Sequence, residues 1–528
     1  MQISKHNRYP ERAKPHRKAG GLAQWPAAQG AVAQAFESVS AERNACATFF
    51  VLALALAGMC LTGCVSSNVA VDRARNDLRC ENYLAAQTWA DGLKTSTFSK
   101  ELGLLESGRV HMLAGDFEAS VADFDRAIET VLTKSETGPV INLSDGAGNL
   151  AAATVTDDRT RIYRIPPYEF IQALNYQMWN YLFLGRPDAA MVEARRVVFA
   201  QDAMAEKYGP KVQEERTHLT SSNAGAMGAM DTRMEAMGPV LEKTRCSYEN
   251  GLTWYFCGIL FELDRDASNA RLAYQKAWEL TPGNPYIERD MLRLARSEAP
   301  ETFNALMARS RLPAESLDRS PAEIVLVVED NFVSQRRSVK VPLPLLGTSM
   351  TSVDFPMYND DVYPAMPLNL SADAGTLGLL SPALFLQSLA YQDLKEKMPG
   401  IVVRNVTRVA GRIAAQQVVK HTGNSYAQLG VGLFNLASAI INKADTRAWY
   451  TLPMVAHVYR GNIEPGEYQL TLANQANGRT VTFPVSVAQG ETRFVWVGDP
   501  AGRSRAVSAS MNGKGAPATC TPIESLFN

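Results

Sequence analysis

The chain has 528 residues, 46% of them hydrophobic and 20% charged, with 53 basic and 54 acidic side chains for a net charge of −1. That length predicts about three domains, or two plus an extended module. A composition this close to the globular average excludes global disorder, a collagen-like repeat and a polytopic membrane protein. The balanced charge excludes a nucleic-acid binder and a strongly basic membrane-surface protein.

In chain order, the first strong signal is the uncharged apolar run Ala45 to Leu61, which ends in Leu61-Thr62-Gly63-Cys64. A run this short, followed at once by small residues, reads as the h-region and cleavage site of an export signal. A membrane-spanning helix needs about 20 apolar residues. The four residues Leu61, Thr62, Gly63 and Cys64 resemble the lipobox of bacterial lipoproteins position by position. The resemblance implies cleavage before Cys64, a diacylglyceryl thioether on its sulfur and further acylation of the new amino group, and several acyl chains anchor stably where one would not. Val65 and Ser66 lack the aspartate that marks inner-membrane retention, so the resemblance points to the outer membrane, with the body facing the periplasm. The stretch before the h-region is long for a signal, and initiation at Val39 or Val32 would give a leader of ordinary length. Residues 1–63 are therefore set apart as leader. They hold seven Lys/Arg and three Asp/Glu, so 46 basic and 51 acidic residues remain and the mature chain carries −5.

Cys46 and Cys60 leave with the leader, and Cys64 carries the lipid. Cys80, Cys246, Cys257 and Cys520 remain in a compartment that permits disulfides. Their spacing offers no C-x-x-C motif, and Cys246 and Cys257 read as buried thiols. Residues 64–75 read as a lipidated tether.

Helical periodicity begins near Asn76. Residues 251–284 place Trp254, Gly258, Phe261, Ala270, Tyr274, Ala277 and Pro282 at offsets 4, 8, 11, 20, 24, 27 and 32, and so resemble a tetratricopeptide repeat. Small residues at offsets 8, 20 and 27 let two antiparallel helices approach, and aromatics fill the gaps between them. Residues 101–134 repeat the pattern with Leu104, Gly108, Gly115, Phe124 and Ala127. A weaker copy at 171–204 has Leu174, Tyr181, Gly185 and Ala190, but Met178 where a glycine is expected. Three units approach the minimum for a stable stack, so 76–298 reads as an α-solenoid whose concave face is the expected protein-partner site. Insertions at about 135–166 and 209–246 interrupt it. The second carries Met227, Met230, Met234 and Met237, either an adaptable binding surface or an amphipathic helix packed through its methionines.

Residues 299–321 read as a linker, and 322–500 as an α+β domain. Ile324 to Val328 is an apolar run of strand length, and Val339, Val341 and Leu343 alternate. From Pro382 to Lys443 the pattern is helical. Arg404, Arg408 and Arg412 share one helix face, and the uncharged stretch 427–441 is too short to span a bilayer as a helix. Pro465-Gly466, Asn477-Gly478 and Gln489-Gly490 then punctuate strands of an antiparallel sheet or small sandwich, with Tyr468, Leu470 and Leu472 on one face, and Val481, Phe483, Val485 and Val487 likewise. Residues 501–528 lack periodicity and read as a flexible tail.

Tyr168-Glu169, the stretch from Leu184-Gly185 to Ala194-Arg195-Arg196, Val403-Arg404 to Arg408, and Ala444 to Trp449 with Leu452-Pro453 together resemble a family of proteobacterial lipoproteins with a TPR-like N-terminal half. The resemblance implies an envelope-associated role and supplies no activity. The chain lacks a G-x-S-x-G elbow, an H-E-x-x-H pair, a P-loop and a G-x-G-x-x-G turn. The histidines of the mature chain, His111, His218, His421 and His457, are not spaced as metal ligands. Asp445, Arg447 and Trp449 form the one polar cluster that invites a ligand, and a structural ion pair beneath a tryptophan explains it as well. No cofactor, metal or catalytic activity is expected. The expected role is a lipid-anchored periplasmic scaffold in cell-envelope assembly or maintenance. The alternatives are an accessory subunit of a secretion or pore-forming outer-membrane complex, or a cell-wall enzyme.

Overall fold

The computed structural model describes residues 67–133, 161–222, 224–235, 237–313, 317–318, 322–345, 349–358, 364–373, 375–422 and 444–528. Ser66–Asn528 forms one compact unit. Helices come first: α1 (Ser67–Arg79), α2 (Tyr83–Lys94), α3 (Lys100–Ala114), α4 (Phe117–Thr133), α5 (Pro167–Phe183), α6 (Pro187–Ser222), α7 (Ala224–Glu235), α8 (Gly238–Leu241), α9 (Gly251–Leu263), α10 (Ala267–Leu280), α11 (Pro285–Glu298) and α12 (Pro300–Met307). The sheets follow: β1 (Glu323–Asp330), β2 (Arg337–Leu345), β3 (Ser349–Met357), β4 (Leu368–Ala372), β5 (Gly375–Leu379) and β6 (Ser381–Phe385). After the long helix α13 (Leu386–Thr422) come β7 (Val455–Asn462), β8 (Gly466–Asn474), β9 (Thr480–Val487), β10 (Thr492–Asp499), β11 (Ser504–Ser510) and β12 (Thr519–Ile523).

Local signals explain several helix boundaries. Asn250, Asp266 and Asn284 accept hydrogen bonds from the first free backbone N–H groups of α9, α10 and α11. Gly115 closes α3 with a left-handed φ of 85°.

Strand order β12-β11-β10-β1-β7-β6 makes one sheet, β5-β4-β8-β9 a second, and β2-β3 a separate ribbon. Neighbours are antiparallel except β1 and β10, which run parallel. The apolar run of β1 lies at the centre of the larger sheet and is buried on both faces, as an unalternating strand should be. Val325 and Val327 face one core, with Phe494, Trp496 and the helices. Ile324, Leu326 and Val328 face a second core with Leu370, Leu470, Leu472, Phe483 and Val485 of the smaller sheet. The molecule is thus three layers: helices, six strands, four strands. The expected shared faces are present, and the register sets Tyr468 opposite Val485, Leu470 opposite Phe483 and Leu472 opposite Val481.

Several expectations change. The tether at 64–75 is helix from Ser67, and α1 buries Val71, Ala74 and Arg75. The linker at 299–321 contains α12 and the fully buried Leu317. The flexible tail at 501–528 supplies β11, where Ser504, Ser508 and Ser510 interrupt the apolar residues, and β12, which is Thr519-Cys520-Thr521-Pro522-Ile523; both carry too little apolar periodicity to be seen in sequence. The helical and sheet parts also share a core and are not separable domains. The second insertion is the extension of α6 followed by α7, and Met230, Met234 and Met237 are buried in the main core. The helix-packing reading holds for Met230 and Met234 on α7; Met237 packs from the turn that follows, and the side chain of Met227 lies outside the described residues.

Candidate functional site

Cys64, Leu61, Thr62 and Gly63 lie outside the described residues, as do residues 135–160 of the first insertion and the uncharged stretch 427–441. The residues expected to pack the helices are inside. Gly108 faces Phe124, and a Cβ on it would come within 2.8 Å of the ring; at Gly258 a Cβ would come within 2.5 Å of the Tyr274 ring. Ala127, Ala190, Ala270, Ala277 and Tyr274 are fully buried, and Trp254 and Phe261 nearly so. Gly185 has φ 67° and touches the backbone of Ala516. Pro282 is exposed in the turn before α11. His111 of α3 sits partly exposed, 3.8 Å from Asp116 and from Asp123.

The face of the helical layer expected to receive a partner is occupied by the chain's own sheet. Every residue of α5 except Tyr181 is buried. Trp179 and Phe256 meet Phe494, and Phe183 meets Phe494 and Trp496 of β10. Among the described residues, this face of the helical layer is closed by the sheet.

Asp445, Arg447 and Trp449 come together with residues sequence reading did not connect to them. They lie on irregular backbone, not a strand. Buried irregular backbone has no ladder partner, so its N–H and C=O groups must be satisfied by side chains. Here charged residues of three helices do so. Glu169 of α5 accepts from the Trp449 N–H at 2.9 Å and from the hydroxyls of Tyr163 and Tyr168 at 2.6 and 2.9 Å. Glu106 of α3 accepts from the Tyr450 N–H and the Thr451 hydroxyl, each at 2.6 Å. Arg75 of α1 donates to the carbonyls of Tyr450 and Val333, and Arg109 of α3 to that of Thr451. Arg447 pairs with Asp445 at 2.7 Å and donates to the carbonyls of Phe98 and Arg161. The Trp449 indole donates to Thr451 Oγ1 at 3.1 Å.

Burial pushes the Glu106 carboxyl up to about 8, against the pull of Thr451, the Tyr450 N–H and the Arg75 charge. Burial raises Glu169 in the same way. These carboxyls are backbone caps with no open face for a substrate. Asp445 and Arg447 are a structural ion pair over the entry of the 446–452 segment. The sequence signal that would have found the site was the isolated Glu106, Arg109 and Glu169 at helix positions that are otherwise apolar.

A second cluster fastens α9, α10 and α11 to the sheet. Arg460 of β7 is fully buried and meets Asp290 at 2.9 Å, Glu323 at 2.8 Å and the Tyr274 hydroxyl at 2.8 Å. Burial alone would push Asp290 up, but Arg289, Arg460 and Arg293 together hold it well below the usual carboxylate range. Between the two, Arg109 pairs with Glu329 at 2.6 Å, and Glu329 also accepts from Tyr176 and Trp496.

Arg408 of the expected basic stripe is buried and bonds Asn405, so it is not on a solvated face; the side chain of Arg412 lies outside the described residues. Cys246 and Cys257 are buried as expected, but only Cys257 lies on a helix, and burial pushes Cys246 up to about 12. Among the described residues no group of His, Cys, Asp and Glu is arranged to hold a metal ion, and no helix is long and apolar enough to cross a membrane. No family model, curated protein or solved structure matches the chain.

Proposed function

We propose that the chain is a non-enzymatic, lipid-anchored periplasmic scaffold that binds a protein partner in assembly or maintenance of the cell envelope. The observation that carries this reading is the run Ala45 to Leu61 ending in Leu61-Thr62-Gly63-Cys64. Cys64 takes the acyl chains, and the body begins almost at once, since α1 starts at Ser67. Only a short spacer separates lipid from folded protein, which holds the compact unit close to the membrane surface.

The helix pairs support a tetratricopeptide-like origin for the helical layer. In α3–α4 and α9–α10 a glycine at offset 8 receives the aromatic ring at offset 24, as Gly108 does Phe124 and Gly258 does Tyr274. The pair α5–α6 reverses the sizes: Met178 stands at offset 8 and Ala194 at offset 24, both fully buried. Total volume is kept, which is the exchange a packed interface tolerates best.

Two measurements test the reading. Labelling cells with an acyl precursor should mark the wild-type chain and not Cys64→Ser, and a label that survives the substitution removes the anchor. Crosslinking and mass spectrometry of the tagged protein in intact cells should recover one envelope assembly. Recovery of small glycans or metabolites in its place would favour an enzyme or ligand carrier.

A further inference from the structure

The two larger sheets meet in the second core, and one rim of that core carries a pair of acids. Asp330 is the last residue of β1 and Asp499 the last of β10, and the parallel register sets them opposite each other. Leu326 and Val328 of β1 face the second core, as do Val495 and Val497 of β10. The two-residue period of a strand therefore turns Asp330 and Asp499 to the same side. Both are buried, at 7% and 2% exposure.

The segment after β12 closes this rim. Ser525 and Leu526 are buried, and Leu526 belongs to the second core. On the side of the larger sheet, Asp499 accepts from the Leu526 N–H at 2.7 Å and from the Ser525 hydroxyl at 2.9 Å. On the side of the smaller sheet, the Leu526 carbonyl accepts from Asn474 at the end of β8 at 3.0 Å and from Asn477 in the turn that follows at 2.9 Å. The Phe527 N–H donates back to Ser525 Oγ at 3.0 Å. This short segment thus clips one sheet to the other.

The two acids are unequally provided for. Asp499 also accepts from the N–H groups of Ala501 and Gly502. Asp330 has no hydrogen-bond donor and no cation for its carboxyl among the described residues, and the charge it faces is Asp499. Arg79 of α1 reaches the adjoining loops but bonds the Pro500 carbonyl and Asn331 Oδ1, and Glu524 is exposed. His457 lies one pair along the same face of β7, and burial lowers it to about 4, so it is neutral near pH 7. With its oxygens taken by donors, Asp499 has little left for a metal ion, and a proton on Asp330 is what resolves the pair. Burial and the Asp499 charge push Asp330 up to about 7, and burial pushes Asp499 up to about 6 against its donors. Loss of the Asp330 proton places two charges side by side in a dry rim. Lifting the segment admits water to both.

We propose that the segment Ser525–Phe527 is a pH-gated latch on the sheet sandwich, closed while Asp330 is protonated and released when it ionises. Release uncovers the apolar rim that Leu526 fills. The latch goes beyond the scaffold reading and does not depend on the lipid anchor. Both carboxyls titrate higher in the closed state than in water, so the closed state binds the extra proton. The latch is tightest below about pH 4 and loosens as pH rises towards 7.

The test is hydrogen exchange of the full mature chain, with each amide rate corrected for its intrinsic dependence on pH. Protection of the Leu526 and Phe527 amides should fall by up to about tenfold per pH unit between pH 5 and 7, while Leu470 and Leu472 of β8 keep theirs. Asp330→Asn preserves size, offers Asp499 an amide donor and cannot ionise. It should flatten the fall and leave the latch closed at pH 5. The same slope in Asp330→Asn overturns the latch, as does an equal fall at Leu470 and Leu472, which would mean that the whole sandwich loosens together. Recovery of protection at pH 8 by millimolar calcium in the wild type and not in Asp330→Asn would assign the pair to a divalent cation and overturn the proton latch.

Discussion

The two buried charged clusters are equally dry and shift their carboxyls in opposite directions. Around Arg460, three arginines face Asp290 directly and hold it ionised. Around the 446–452 segment, Glu106 and Glu169 face mainly backbone N–H groups and hydroxyls, and burial drives their carboxyls up. Burial penalises the charged form in both places. What differs is whether a full positive charge stands within contact distance to offset it. The Arg460 cluster joins regular elements, helix to strand. The Glu106 and Glu169 cluster replaces the missing ladder of an irregular segment, where the groups to be satisfied are neutral dipoles.

The largest expected effect breaks the first cluster. Arg460→Leu leaves Asp290 and Glu323 buried with their central cation gone, and removal of one partner from a buried pair costs about 3–5 kcal/mol. Urea denaturation should show that loss. The triple variant Arg460→Leu, Asp290→Asn, Glu323→Gln should recover most of it, because the cost lies in orphaned charge and not in the arginine's own contribution. A single-variant loss below about 1 kcal/mol would mean that Arg289 and Arg293 already satisfy Asp290 and that Arg460 is dispensable.

Next comes the pH dependence of the second cluster. The Glu106 carboxyl titrates near 4.5 when unfolded and near 8 when folded, so between these values the folded state binds the extra proton. Stability from this group is complete below pH 4.5 and falls as pH rises, by at most about 1.4 kcal/mol per unit, until pH 8. Arg75, Glu169, Thr451 and Tyr450 are the groups that face it. Glu106→Gln keeps an acceptor for the Tyr450 N–H and cannot ionise. It should flatten the decline in melting temperature between pH 5 and 8, and an unchanged slope would place the titration elsewhere.

His457 gives a smaller effect of opposite sign. It is fully buried in β7 between Pro382 and Val328, neither ring nitrogen finds a hydrogen bond, and burial lowers it to about 4. The unfolded chain binds the proton first, so stability falls as pH drops from 6.5 towards 4. His457→Leu removes two buried unsatisfied atoms. It should leave stability at pH 7 equal or higher and abolish that acid limb, whereas clear destabilisation at pH 7 would reveal a partner for the ring.

Sequence reading found what periodicity carries. The β1 run, the alternation of β8 and β9, the helical half and the glycine-aromatic pairs follow from local patterns, and each is in the structure. Three features escaped, for separate reasons. β11 mixes Ser with Ala and Val, and β12 is Thr519-Cys520-Thr521-Pro522-Ile523, so their strand character comes from pairing, β11 with β10 and β12 with β11, and not from hydrophobicity. The joining of helices to sheet depends on contacts such as Glu106 to Thr451, 345 positions apart, which no local pattern encodes. Asp445, Arg447 and Trp449 were visible as a polar cluster, yet their structural role rests on Glu169 and Glu106, acids on apolar helix positions whose partners Trp449 and Tyr450 lie 280 and 344 positions away.

The smallest effect tests the repeat itself. Gly228 and Gly258 are both helical glycines, and intrinsic propensity favours alanine at each by up to about 1 kcal/mol. Space decides otherwise at one of them. Nothing lies within 4 Å of a Cβ at Gly228, while at Gly258 it would meet the Tyr274 ring at 2.5 Å. Tyr274 cannot retreat easily, because its hydroxyl bonds both Arg460 and Glu262. Gly228→Ala should therefore be neutral or mildly stabilising, and Gly258→Ala should destabilise by about 1–3 kcal/mol through overpacking. Adding Tyr274→Phe to Gly258→Ala frees the ring from its polar anchors. If the two helices can part, the double variant loses less than the sum of the single changes. If the losses simply add, the ring is fixed by packing alone, and the glycine at offset 8 is set by the helix pair without help from the Arg460 cluster.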